Sequence, residues 1–145
     1  MFDDYFFELL KENVFLLKAD VRHKSYILGS MLPILWNNEF ISLTIEGNEL
    51  SMFLSTKYKE LIKETEKNGF QFTKVYNEEL DQIQEYSVLK VFQSTHQISE
   101  SGIVNHFSSM FKDLDIPILY INSFSNNYIL IPRELLFKLK GVIDI

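Results

Sequence analysis

The apolar segments of this chain follow one order that occurs twice, and this repeat limits the folds that the chain can adopt. Two runs, 40–54 and 116–131, each place apolar residues on either side of a short polar turn, which is typical of a β-hairpin, and Leu50, Met52 and Leu54 alternate along the returning strand of the first. A segment with apolar residues at helical spacing precedes each hairpin, and a second helix is predicted after it. The pattern therefore predicts strand, helix, strand, strand, helix, strand in each half, as a repeat of element order rather than of residues.

The helices of the first half flank its hairpin. The earlier helix is predicted at 25–36, where Pro33 indicates a kink or a late start. Four apolar residues share one side of this helix: Leu28, Met31, Leu32 and Leu35. The later helix is predicted at 57–68, with Gly69 as its C-terminal stop, and a strand is expected at 70–76.

The second half follows the same order with different residues. A strand is predicted at 86–92, and the helix after it carries five apolar residues on one face: Ile103, Phe107, Met110, Phe111 and Leu114. Pro132 suits the first position of a short helix that ends before Gly141. The last residues, 142–145, are predicted to add a final short strand.

This element order predicts an α+β fold. A β-α-β-β-α-β unit forms a four-stranded antiparallel sheet with both helices on one face, the ferredoxin-like arrangement. We expect two such units in tandem, at 12–77 and 86–145, joined by the acidic segment 77–85. Each unit is small and leaves one sheet face to be covered. A homodimer is therefore expected, since closed two-fold pairing is the commonest assembly.

Composition excludes several classes of protein. The chain has no cysteine, which excludes disulfides, cysteine zinc sites and thiol catalysis. The 14 Lys and Arg against 20 Asp and Glu leave a net charge of −6, so no nucleic-acid partner is expected. No apolar run is long enough to span a membrane, and the N-terminus is acidic where a signal peptide is basic. We expect a cytoplasmic protein with no membrane contact.

The sequence contains no recognisable catalytic constellation. The three histidines, His23, His96 and His106, have no metal-ligand spacing, and no phosphate loop, nucleophile elbow or zinc-protease motif occurs. The carboxylate pairs lie in polar stretches, where solvated surface is the usual role. We therefore expect that the protein is not an enzyme and that it binds neither a metal nor a cofactor.

One segment nevertheless has the features of a ligand site. The start of the second half's first helix offers free N–H groups for a carboxylate or phosphate, glycine there permits close approach, and an acidic residue can take an ammonium. The candidate ligand-binding residues are Glu100, Ser101, Gly102, Ile103 and Val104, with Ser123, Phe124, Asn126 and Asn127 of the nearby hairpin turn. The alternative is an ordinary helix N-cap, with Glu100 stabilising the helix dipole.

These segments resemble a known family. The segments that carry the resemblance are Phe40–Thr44 with Glu49–Leu54, the helix start Glu100–Val104 and the hairpin Ile116–Pro132. The chain resembles the ACT-domain proteins related to the cytosolic arginine sensors of the TOR pathway, the CASTOR type, and their small stand-alone bacterial relatives. The resemblance covers 14–145. It implies ACT units packed side by side, an amino-acid ligand held between units, and regulation through a protein partner. The sensors carry four ACT units and this chain has room for two, so the resemblance implies a half-length version that dimerises to rebuild the full set.

Two positions depart from the family pattern. The family meets its ligand's charged side chain with an aspartate in the hairpin turn, where this chain has Asn127, and it uses a serine where this chain has Pro117. A buried guanidinium without a counter-charge is costly, so both changes favour a ligand other than arginine. A constitutive ACT-type adaptor without a small ligand is the alternative function, and a small enzyme with an unrecognised site is the third.

Overall fold

The structure is a computed structural model that describes residues 5–93, 100–123 and 125–145. Its ten strands among these residues are β1 (Tyr5–Leu9), β2 (Val14–Asp20), β3 (Ser42–Glu46), β4 (Glu49–Ser55), β5 (Thr73–Lys74), β6 (Tyr76–Asn77), β7 (Gln82–Ile83), β8 (Glu85–Gln93), β9 (Leu119–Asn122) and β10 (Asn127–Pro132). The α-helices are α1 (Lys24–Met31), α2 (Lys59–Thr65) and α3 (Glu100–Asp113). Short 3₁₀ helices occupy Val21–His23, Leu32–Asn37, Thr56–Tyr58, Glu66–Asn68 and Arg133–Leu139.

The chain divides into two compact units, and its α+β class is as predicted. The continuous unit is Glu12–Glu85, and the split unit is Met1–Lys11 together with Tyr86–Ile145. Every strand pair within either unit is antiparallel among the described residues. In the described parts of the chain, each helix is too short or too polar to cross a membrane.

The continuous unit contains a sheet in the order β3-β4-β2-β5. The alternation predicted for the returning strand is confirmed, because Leu50, Met52 and Leu54 are all buried. They pack with residues of β2, the first helix and the second helix in one apolar cluster, which includes Phe15, Leu17, Ala19, Ile27, Met31 and Ile62. Both helices therefore cover the same face of this sheet.

The first helix differs from its prediction in the face that it buries. The α-helix gives way to a 3₁₀ helix at Leu32, beside the proline that lacks an N–H. The buried residues, Ile27, Met31 and Ile34, are spaced i, i+4 and i+7, so they form one helical stripe that differs from the predicted one. Leu32 and Leu35, which were predicted to face the core, are exposed.

The split unit contains a sheet in the order β1-β8-β10-β9. Its core joins the central strands to α3, whose predicted apolar face is confirmed at Phe107, Met110 and Phe111. The fourth strand of this sheet, which lies beside β8, is the N-terminal strand β1 and not the final short strand predicted at 142–145. The C-terminal residues instead form an isolated bridge between Lys140 and Ile143. No strand was predicted at residues 5–9 from the sequence.

Candidate ligand-binding cleft

A cleft of about 960 Å³ lies at one end of the sheet in the continuous unit. Its walls come from the last residues of β2, the 3₁₀ turn that leads into α1, the hairpin turn between β3 and β4, and the loop before β5. These four segments are distant in sequence and meet because they close the same end of one sheet. Lining residues include Lys18, Asp20, Arg22, His23, Tyr26, Glu49 and Phe70.

Backbone hydrogen bonds hold the cleft rim in place. The amide of Val21 donates to the carbonyl of Asn48 at 2.8 Å, which joins the β2 end to the hairpin turn. The Asp20 side chain accepts the Arg22 amide at 2.9 Å and caps the turn that starts there. Gly69 has a φ of +80°, a left-handed conformation that glycine adopts without a Cβ clash, and it turns the chain out of the second helix into the loop.

Two ion pairs, each of one cation and one carboxylate, line the cleft. Lys18 Nζ lies 3.1 Å from Glu49 Oε1, and the hydrogen bonds from Lys18 and then Ser51 lower the pKa of the Glu49 carboxyl below its usual range. The second pair is looser, with 3.9 Å between Arg22 Nε and Asp20 Oδ1. Both pairs are well exposed to solvent, so a ligand can reach them.

The rings of His23, Tyr26 and Phe70 form an aromatic wall of the cleft, and His23 connects this wall to the charged residues. Arg22 Nε donates a hydrogen bond to His23 Nε2 at 3.2 Å. The His23 ring lies 4.8 Å from the Phe70 ring, and the Tyr26 ring lies 6.0 Å from Phe70 in an edge-to-face contact. Tyr26 is fixed at its other end, because its hydroxyl donates to the Thr65 carbonyl at 2.7 Å.

The loop that carries Phe70 is braced from behind. The Glu66 carboxylate accepts the Phe72 amide at 2.9 Å and contacts Lys74 Nζ at 2.7 and 2.9 Å, with both charged side chains largely buried. The Phe72 ring is buried and meets the Phe70 ring edge-to-face at 4.8 Å. Hydrogen bonds and packing therefore hold the aromatic wall in position before any ligand arrives.

The predicted site lies in the split unit and is described only in part. Residues Glu100, Ser101, Gly102, Ile103 and Val104 form the start of α3, as expected, but their side chains are not described, and Phe124 lies outside the described residues. The turn is closed by the Ser123 amide, which donates to the Asn126 carbonyl at 2.9 Å, and Asn127 begins β10 opposite Asn122. The site at these residues stays a prediction.

The cleft of the continuous unit was not predicted from the sequence. A signal was present, because the segment from Asp20 to His23 follows the first strand of its half just as the predicted site follows the first strand of the other half. The hairpin turn and the Phe70 loop had no such signal, since only tertiary structure places them at the same end of the sheet. Among the described residues, no group of three or more His, Asp or Glu side chains is arranged to hold a metal ion.

Comparison with known proteins gives structural neighbours but no family. No family model matches the chain, and no curated protein matches it. A protein of unknown function from Vibrio cholerae, described as a possible transport protein, has a TM-score of 0.62 and 13% identity over 99% of this chain and 94% of its own. A protein from Agrobacterium tumefaciens has a TM-score of 0.60 and 16% identity over 95% of this chain and 85% of its own.

A third neighbour is an aspartate kinase from Clostridium acetobutylicum, described as an allosteric enzyme important for industrial amino-acid production. Its TM-score is 0.53 with 12% identity, and the match covers 92% of this chain but 33% of the kinase. The kinase contains ACT domains. Identities this low establish a shared fold and no more.

Proposed function

We propose that this protein is a regulatory module that binds a free amino acid in the cleft of the continuous unit, acts through contacts with other proteins, and catalyses nothing. The observation that carries the proposal is the loose Asp20–Arg22 pair at the cleft, with 3.9 Å between Arg22 Nε and Asp20 Oδ1. A free amino acid carries one ammonium and one carboxylate, so it can replace both partners of such a pair at once.

The expected pose follows from charge. The ligand carboxylate binds the Arg22 guanidinium, whose planar fork of donors matches a carboxylate, and the ligand ammonium binds Asp20. The cleft residues comprise two cations, Lys18 and Arg22, and two carboxylates, so a zwitterion leaves the local charge balanced. An anion or cation of similar size leaves one charge uncompensated, which weakens binding.

We infer that both units are ACT-type, ferredoxin-like modules. In the continuous unit β2 lies between the hairpin strand β4 and the edge strand β5, and in the split unit β8 lies between the hairpin strand β10 and the strand β1. This is the strand order of a ferredoxin-like sheet and supports the assignment. The ACT-containing kinase among the structural neighbours supports the same assignment. Kinship with the cytosolic amino-acid sensors, and a cytoplasmic location, rest on the sequence resemblance and belong to this proposal.

The predicted residues of the split unit are proposed as a second ligand site. Glu100–Val104 follow β8 as the turn Val21–His23 of the cleft follows β2, so these two segments take the same place in the order of elements. In this unit Asn127 offers an amide in the turn, and we expect a preference for a ligand with an uncharged side chain.

Thermal denaturation with each of the twenty amino acids tests the proposal. A ligand that binds only the folded protein at about 100 times its Kd stabilises it by about 2.7 kcal/mol, which raises the Tm by several degrees. Arg22→Gln is expected to abolish the shift. Lys24→Gln is the matched control, because it removes one nearby positive charge from a residue outside the cleft. A screen with no shift for any amino acid would contradict the proposal.

A constitutive adaptor is the second candidate, and one observation favours it. The 3₁₀ helix Leu32–Asn37 leaves Leu32, Leu35 and Trp36 at 54%, 53% and 81% exposure, which is unusual for three large apolar residues in one short segment. An exposed apolar segment is typical of a protein-binding surface. If the amino-acid screen shows no stabilisation, the adaptor becomes the better explanation.

A further inference from the structure

We propose that the cleft selects an amino acid with an aromatic side chain, and this inference rests on the proposed function. The Arg22 guanidinium and the aromatic wall are contiguous, because Arg22 Nε lies 3.2 Å from His23 Nε2 and the His23 ring lies 4.8 Å from Phe70. A ligand whose carboxylate contacts Arg22 therefore projects its side chain onto the rings of His23, Tyr26 and Phe70.

The geometry of the wall suits an additional ring. His23 and Phe70 are tilted by 58° and Tyr26 meets Phe70 at 75°, so the three rings present both faces and edges. Aromatic rings pair best in offset-stacked or edge-to-face contacts with centroids about 4.5–7 Å apart. Tyr26 is 38% exposed, and Phe70 and His23 are partly exposed, so part of this surface remains open to a ligand.

The charges of the cleft argue against a basic or acidic ligand side chain. Lys18 is paired with Glu49 and Arg22 with Asp20, while His23 accepts a hydrogen bond from Arg22 at Nε2. A lysine or arginine ligand would place a third cation on the wall next to the guanidinium of Arg22. A glutamate ligand would add an uncompensated carboxylate. A neutral aromatic side chain avoids both costs and gains the ring contacts.

Calorimetric titration of the full chain with L-phenylalanine, L-cyclohexylalanine and L-arginine tests this inference. Cyclohexylalanine is the matched probe, because its side chain has nearly the same size but no π system. Each ring contact strengthens binding by about 2- to 10-fold beyond apolar burial, so phenylalanine is expected to bind more tightly than cyclohexylalanine by at least that factor. Arginine is expected to bind most weakly of the three.

Phe70→Leu is expected to reduce the affinity for phenylalanine by about 3- to 10-fold and to narrow its advantage over cyclohexylalanine. Phe137→Leu is the matched control, since Phe137 is 63% exposed in the split unit and outside the cleft. Because Phe70 also packs against Phe72, a thermal melt checks that the variant is folded. His23→Ala, at the rim, gives a second test of the wall and is expected to weaken phenylalanine binding as well.

The outcomes separate this inference from the proposed function. Tighter binding of phenylalanine that is lost in Phe70→Leu and His23→Ala supports it. Tighter binding of cyclohexylalanine or arginine, or a phenylalanine affinity unchanged by both variants, overturns the aromatic preference and leaves amino-acid binding standing. Failure of these probes and of all twenty amino acids in the thermal screen overturns both.

Discussion

Individual residues in the continuous unit set its turns and its polar contacts. Asp20 caps the turn at the cleft, and Gly69 supplies a left-handed conformation at +80° before the aromatic loop. At another place in this unit, Glu39 Oε1 accepts hydrogen bonds from Tyr58 at 2.7 Å and from Lys57 at 2.5 Å. Asn37 Nδ2 donates to the same Tyr58 hydroxyl at 2.7 Å, so these polar groups form one network.

Two glycine substitutions are expected to change stability in opposite directions. A Cβ has open space at both Gly69 and Gly29, so the backbone conformation decides the effect. Gly69→Ala places a side chain at a left-handed φ and should lower the free energy of unfolding by about 1–2 kcal/mol. Gly29→Ala, inside α1, should raise it by about 0.5–1 kcal/mol. Urea denaturation measures both, and equal effects would contradict the assigned conformations.

Glu39 is expected to make stability depend on pH in the acid range. Hydrogen bonds from Lys57 and then Tyr58 lower the pKa of the Glu39 carboxyl from its ordinary value of 4.5. A lowered folded-state pKa contributes stability above about pH 4.5 that is lost as the pH falls through the folded value. Glu39→Gln should therefore flatten the fall of the urea midpoint below pH 4.5. Glu64→Gln, at an exposed position of α2, is the control and should keep the wild-type slope.

At the scale of elements, the N-terminal strand decides how the split unit is completed. β1 pairs with β8 from Tyr5 opposite Gln93 to Leu9 opposite Leu89. Phe7 packs on the core of this unit, with its ring 5.6 Å from the Phe107 ring. Phe6 points to the other face and is 61% exposed, as period-two alternation requires.

Substitution of these two neighbouring phenylalanines tests the role of β1. Phe7→Ala should lower the free energy of unfolding by about 2–4 kcal/mol, because it removes a ring from the core beside Phe107. Phe6→Ala, one residue earlier on the same strand, should change it by less than about 0.5 kcal/mol. Guanidinium denaturation followed by circular dichroism compares them. Similar losses for both would show that β1 does not lie in this register.

At the scale of the whole molecule, the two units have the same order of strands in their sheets but take those strands from different parts of the chain. The continuous unit takes its four main strands from one stretch of chain, whereas the split unit takes one from the N-terminus and the others from after the boundary at Tyr86. The continuous unit is therefore an insertion, in sequence, between two parts of the split unit. Removal of the first eleven residues would deprive the split unit of its edge strand.

A homodimer remains the expected assembly. Units of this size bury small cores, and 46% of the residues in the chain are hydrophobic. Three large hydrophobic residues, Leu32, Leu35 and Trp36, are exposed together on Leu32–Asn37, and two-fold pairing of chains, the commonest assembly, would cover such a surface. Light scattering over a wide range of protein concentration is expected to give twice the chain mass of 17.1 kDa. Trp36 is the single tryptophan, so its emission reports directly on burial of that segment. A constant mass of one chain would contradict the prediction.

Local sequence patterns were enough to predict the α+β class, both hairpins and most helix positions. These features depend on local patterns: alternation at Leu50, Met52 and Leu54, helical spacing at Phe107 and Phe111, and a glycine stop at Gly69. Each of these patterns involves residues that are close in sequence, so it can be recognised without knowing which other segments pack against them in the folded protein.

The partner of β1, the buried face of the first helix and the cleft depend on contacts between segments that are distant in sequence. Tyr5–Leu9 pairs with a strand about 80 residues later, and no local pattern specifies a partner at that distance. The cleft likewise joins Arg22, Glu49 and Phe70, which are far apart in sequence and meet at one end of a sheet. Long-range contacts form because burial favours them across the whole molecule, so their location is a property of the folded chain and not of any segment.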